Sequence, residues 1–158
     1  MGVASQNDFE SANQSGHEFR SLLAALRQAH QQLSVEMDKM DALTREPEPD
    51  RLRYANLRWK LSQASLTRRS LSARICLQLL PAIRNGDISV LSDIQAADRD
   101  LARKSAEHIG RWTTEVIYQR WADYCQASRQ IRWQMSGHLE MEQRLLMPLV
   151  ERAARLEK

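Results

Sequence analysis

Apolar residues recur along this chain at intervals of three and four, the mark of helices that bury one stripe. The first run is Phe19, Leu22, Leu23, Leu26, Leu33, Met37 and Met40, with His30 on the same stripe. It predicts a helix A from about Gly16 to Thr44. Ser15 and Glu18 have capping-box spacing at its start, and Arg45-Glu-Pro-Glu-Pro-Asp50 cannot continue it. A second run, Tyr54, Leu57, Leu61, Ala64, Leu71, Ile75 and Leu79, predicts helix B from about Asp50 to Arg84, closed by a turn at Asn85-Gly86-Asp87. Helix C, capped by Ser89 or Ser92, carries Leu101, Ser105, His108 and Trp112. Helix D carries Ile131, Met135, His138, Leu145, Leu149 and Ala153. No Gly-Pro punctuation marks the C/D turn, which is expected between Gln119 and Ser128.

No segment alternates as a strand would. Four long helices with short connections most simply form an all-α, antiparallel up-down-up-down four-helix bundle. The apolar positions are too wide for a coiled-coil seam, and two prolines fall inside helices. Residues 1–14 read as a flexible polar tail and residues 15–158 as a single domain.

Composition agrees. Of 158 residues, 42% are hydrophobic and 27% charged, enough for a core and too apolar for general disorder. No run approaches the roughly 18 apolar residues of a membrane span, so membrane insertion is not expected. No basic start followed by an apolar block is visible at the N-terminus. Two cysteines, Cys76 and Cys125, make neither a disulfide framework nor a thiolate cluster, so a reducing cytoplasm is the expected setting. A phosphate-cradling glycine loop and a nucleophile elbow are both missing, which points away from an enzyme.

The sharpest chemical signal is His138-Leu-Glu-Met-Glu142-Gln-Arg-Leu-Leu-Met-Pro148. A histidine and a glutamate four apart share one helix face, the convergence that a metal ion needs. Leu71 to Pro81 echoes it, with a proline at the same offset after a greasy pair. On these residues the chain resembles the hemerythrin-like, cation-binding four-helix bundle family over roughly residues 18–155. The resemblance makes His138 and Glu142 the helix D ligands, His30 the helix A histidine and His108 the helix C histidine. Helix B departs from the pattern: Leu71 and Ile75 stand where its His and Glu belong, and Trp112 stands where some members carry a second helix C histidine. What the resemblance implies is therefore a reduced site of His30, His108, His138 and Glu142, holding one metal ion, iron or zinc, in a sensory or regulatory module. The opposing expectation is a decayed site that holds none, with Glu142 paired to Arg68 or Arg74 of helix B.

Charge adds the rival function. From Arg51 to Gly86 there is no Asp or Glu, but eight Lys or Arg, with Tyr54 and Trp59 interleaved. Such a helix suits nucleic acid, an acidic protein or an anionic membrane surface. Nucleic acid is disfavoured by a net charge of only +3 and by the acidic residues from Glu36 to Asp50, which an antiparallel hairpin lays beside helix B. The four tryptophans read as core or interface anchors, with Trp59, off the main stripe, as a homodimer contact. Gly110 and Gly137, beside two of the histidines, suggest a close helix approach. The rival reading is thus a metal-free interaction bundle using helix B or an exposed tryptophan.

Overall fold

The computed structural model describes residues 6–156, and every regular element among them is helical. Six α-helices follow one another: α1 (Gln6–Leu43), α2 (Arg51–Leu79), α3 (Asn85–Arg111), α4 (Thr114–Gln119), α5 (Trp121–Met141) and α6 (Met147–Leu156). Residues Glu142–Leu146 form a π-helical segment joining α5 to α6.

Helix α1 starts earlier than expected. Residues 6–14 are helical rather than a tail, and residues 1–5 lie outside the described residues. Asp8 in the first turn complements the helix dipole, and Ser15 Oγ donates to the Ser11 carbonyl from inside the helix instead of capping it. Asp50 does cap α2, accepting from the Arg53 backbone N–H at 3.1 Å. Helix α2 stops at Leu79, short of Arg84, because Pro81 turns the chain through a 3₁₀ segment, Leu80–Ala82. The expected turn at Asn85-Gly86-Asp87 is the first turn of α3, with no side-chain cap from Ser89 or Ser92. The break expected between Gln119 and Ser128 occurs at Trp112–Thr113 and again at Arg120. Packing rather than local punctuation sets it. Tyr54 of α2 collects Tyr118, Trp121 and Tyr124 edge-on at 5.4–6.3 Å, and Trp121 donates to the Glu46 carbonyl.

The long helices meet in antiparallel pairs. Arg74 of α2 reaches Glu18 near the start of α1, whereas Arg53 reaches Glu46 just past its end. Arg58 and Arg68 of α2 meet Ile109 and Asp98 of α3 in reversed order. Asp98 and His108 of α3 lie beside His138 and Tyr124 of α5. Arg27 of α1 pairs with Glu151 of α6, and Asp41 with Arg132 of α5.

The interior has two main clusters. One is aliphatic, built around Phe19, Leu26, Ile75, Leu79, Ile94, Leu146 and Val150. The other is aromatic, built around Leu43, Tyr54, Trp112, Ile117, Trp121 and Tyr124. A smaller group, Leu33, Met37, Ala64 and Leu139, lies between them. Within the π segment Leu146 is buried and Leu145, expected inward, is exposed, while Leu149 and Ala153 of α6 lie inward as expected. Pro148 accounts for the wide turn: it has no N–H to give, and its ring would crowd the carbonyl four residues back. Gly110 and Gly137 mark no close approach, since a Cβ at either meets nothing within 4 Å.

Candidate functional site: a buried ion cluster

A belt of charge crosses the middle of the molecule, where four helical stretches each replace one apolar stripe position with a polar residue. His30 lies between Leu26 and Leu33 on α1, and Arg68 between Ala64 and Ile75 on α2. Asp98 lies between Ile94 and Leu101 on α3, and Glu142 between Leu139 and Leu146 at the start of the π segment. His138 sits one turn before Glu142.

Arg68 is the hub. It is 2% exposed, and Glu142 is fully buried. One terminal nitrogen of Arg68 donates to Glu142 Oε1, and the other donates to Asp98 Oδ1 at 2.8 Å. His30 Nε2 lies 3.3 Å from Glu142 Oε2, and its Nδ1 is 3.4 Å from the Gln143 amide. His138 Nε2 sits 3.3 Å from both Asp98 Oδ1 and Glu142 Oε1, close to each without hydrogen-bond alignment to either. Arg69, at the surface, reaches Asp98 Oδ2 at 3.4 Å.

These neighbours decide the protonation states. Burial alone would push Glu142 up, but His138, His30 and the Arg68 guanidinium outweigh it and hold the carboxyl down at about 2. Asp98 is likewise held at about 2 against its burial, by His138 and Arg68. Burial pulls His138 down, yet the two carboxylates win and raise it above the ordinary histidine value. The cluster is thus two carboxylates, one arginine and an imidazole biased toward its cation.

Three of the four expected ligands come together here: His30, His138 and Glu142. His108 does not join them. It is half-buried beside Tyr124, ring centroids 5.8 Å apart, on the wall of a separate cavity. Burial first, then Arg58 and Arg132, lower it to about 4, so it is neutral at pH 7. The donor set does not fit an ion. Glu142 Oε1 and Asp98 Oδ1 face the Arg68 fork, whose charge would repel a divalent cation at the same place. Among the described residues, no group of three or more His, Cys, Asp or Glu side chains is placed to hold a metal.

Asp98 escaped the sequence reading. The signal was its spacing, four after Ile94 and three before Leu101, both buried. The expected Arg68–Glu142 pairing forms, whereas Arg74 binds Glu18. Four of the seven basic residues of α2, namely Arg53, Arg68, Arg69 and Arg74, are in ion pairs within the chain. Trp112 and Trp121 are core residues, while Trp59 and Trp133 are 63% and 76% exposed. No described helix is long and apolar enough to cross a membrane. Compared with family models, curated proteins and solved structures, the chain matches none.

Proposed function

We propose that this chain is a metal-free, non-catalytic binding module: an antiparallel four-helix bundle of hemerythrin-like form in which an arginine takes the place of the ion. The observation that carries this reading is Arg68, buried at the centre with its guanidinium divided between Glu142 and Asp98. A fixed cation there satisfies the carboxylates that an ion would otherwise need to satisfy. It leaves no open coordination position and no group poised for chemistry.

The binding surface is the outer face of α2. Leu52, Trp59 and Leu66 are exposed at seven-residue spacing, the seam that a partner helix covers. Arg51, stacked on Tyr118, and the exposed Lys60 flank that seam, and no carboxylate in residues 51–86 offsets them. The partner is therefore an acidic amphipathic helix of another protein. A second copy of α2 would bring like charges together, and internal pairing of the arginines weakens the case for nucleic acid.

Elemental analysis of tag-free protein, purified without added metal, tests the first half. The expected content is no stoichiometric iron, zinc or manganese. One equivalent in the parent, lost in His138→Ala, overturns the metal-free reading. For the second half, an acidic helical peptide with leucines at heptad spacing should blue-shift Trp59 emission. Loss of that binding in Trp59→Ala is expected, and equal binding by the variant refutes the surface.

A further inference from the structure

Helices α2 and α3 face each other with small side chains. Ser62 and Ser65 of α2 lie across from Ala102, Ser105 and Ala106 of α3. Two bridges fix the helices on either side of this stretch. Arg58 donates to the Ile109 carbonyl at 3.3 Å, and Arg68 and Arg69 hold Asp98. Small residues between fixed bridges cannot fill the gap. The result is a cavity of about 320 Å³, backed by Leu33, Met37 and Met40 of α1 and Ile131 and Met135 of α5. That is the size of a small-molecule site.

Its charged lining has one sign. Arg58, Arg68, Arg69 and Arg132 all reach the cavity, with His108 beside them, and no Asp or Glu does. Arg68 supplies a second, independent signal. Its two terminal nitrogens are bonded within the ion cluster, but its buried Nε–H has no acceptor. An orphaned donor on a buried guanidinium is costly unless something accepts from it. Leu66 and Ile109, both exposed, mark the mouth where an apolar body would enter.

We propose that this cavity binds a small amphipathic monoanion, an alkyl or aryl carboxylate whose apolar body fills the space between α2 and α3 while its carboxylate meets the arginines. The apolar walls disfavour a strongly hydrated dianion such as a free phosphate, whereas one carboxylate matches a guanidinium edge. His108, neutral in this setting, adds a hydrogen-bonding group without a further charge.

Calorimetric titration of the full chain with decanoate, below its micellar concentration, tests the site. One saturable equivalent is expected, and decanol should bind at least about tenfold more weakly because it lacks the charge that the arginines recognise. Ala102→Trp, which fills the cavity, should abolish binding. Methyl NMR of the parent keeps the test independent of that variant's folding: Met37, Met40 and Met135 line the cavity and should shift, while Met147, in the aliphatic core, should not. Equal affinity for decanol overturns the anion site. No binding, non-saturating uptake of several decanoates, or shifts that include Met147 overturn the cavity as the binding site.

Discussion

Replacing Arg68 by methionine removes the charge at the centre of the belt and keeps most of the apolar stem. Glu142 would then stay fully buried with only His30 and His138 at 3.3 Å, and Asp98 would retain only His138 and the exposed Arg69. Removing one partner of a buried ion pair costs about 3–5 kcal/mol, most of it the penalty on the stranded charge. Two imidazoles remain to share that charge, so the lower end applies, ~3 kcal/mol. For a chain of this length that is a fall in Tm of roughly 6–12 °C. Urea unfolding followed by circular dichroism reads the free energy, and a double-mutant cycle with Glu142→Leu reads the coupling. The cycle should give a coupling of about 2 kcal/mol or more, because each single variant strands the other's charge. Arg68→Lys should not restore stability, since an ammonium cannot fork between two carboxylates on different helices. A loss below about 1 kcal/mol for Arg68→Met, the range of ordinary surface substitutions, would refute the account of the belt as a satisfied buried cluster.

Further outcomes follow from other parts of the structure. Asp98 and Glu142, both held at about 2, contribute stability that is complete above the ordinary carboxylate pKa near 4 and is lost as the pH falls toward 2. His108, lowered to about 4, refuses a proton that the unfolded chain accepts below about 6.5, so stability should fall on acidification across that window. His138 is raised, so its contribution is complete below about 6.5 and fades as the pH climbs through its folded value. In urea melts across pH, His108→Gln should flatten the acid-side slope and His138→Gln the alkaline-side one; unchanged slopes would contradict these assignments. Trp121→Ala should cost about 3–5 kcal/mol, because the indole fills the aromatic core and anchors the loop through the Glu46 carbonyl; a thermal melt within 2–3 °C of the parent would argue against that anchoring, given about 2–4 °C per kcal/mol. Gly110→Ala and Gly137→Ala should each raise stability by about 0.5–1 kcal/mol, since both glycines lie in helices with open space where the Cβ goes. Destabilisation by either, read by chemical denaturation, would mean a neighbour approaches more closely than the structure shows.

Much of the helical frame was legible because apolar spacing reports burial directly. Leu57, Ala64, Ile75 and Leu79 lie inside, as their stripe implies. The charge belt was harder to see, because a lone arginine or aspartate is assigned to the surface by default. Arg68 and Asp98 each hold a stripe position, and only position, not residue type, reveals them. The helix break at Arg120 falls in the expected window, but the one at Trp112–Thr113 was hidden, because the packing of Trp112 on Tyr124, and of Tyr124 on Tyr54, joins residues far apart in sequence. Leu145 faces outward because it lies in the π segment, whose wider turn a helical wheel does not follow. His138 and Glu142 do lie 3.3 Å apart, but the guanidinium beside them comes from α2 and the second carboxylate from α3, which spacing on one helix does not reveal.

Setting charge across the waist of the molecule also divides its hydrophobic interior. The aliphatic half joins the early part of α1 to α6, while the aromatic half joins the end of α1 to α4 and the start of α5. The belt interrupts the apolar packing between them, and the halves are expected to open separately, as two cooperative units. Amide hydrogen exchange should then fall into two tiers. Amides around Ile117 and Tyr124 would exchange through an opening that leaves those around Leu26 and Val150 closed. A chain of this design can loosen at one end, admit a ligand or a partner there, and keep the shape of the other.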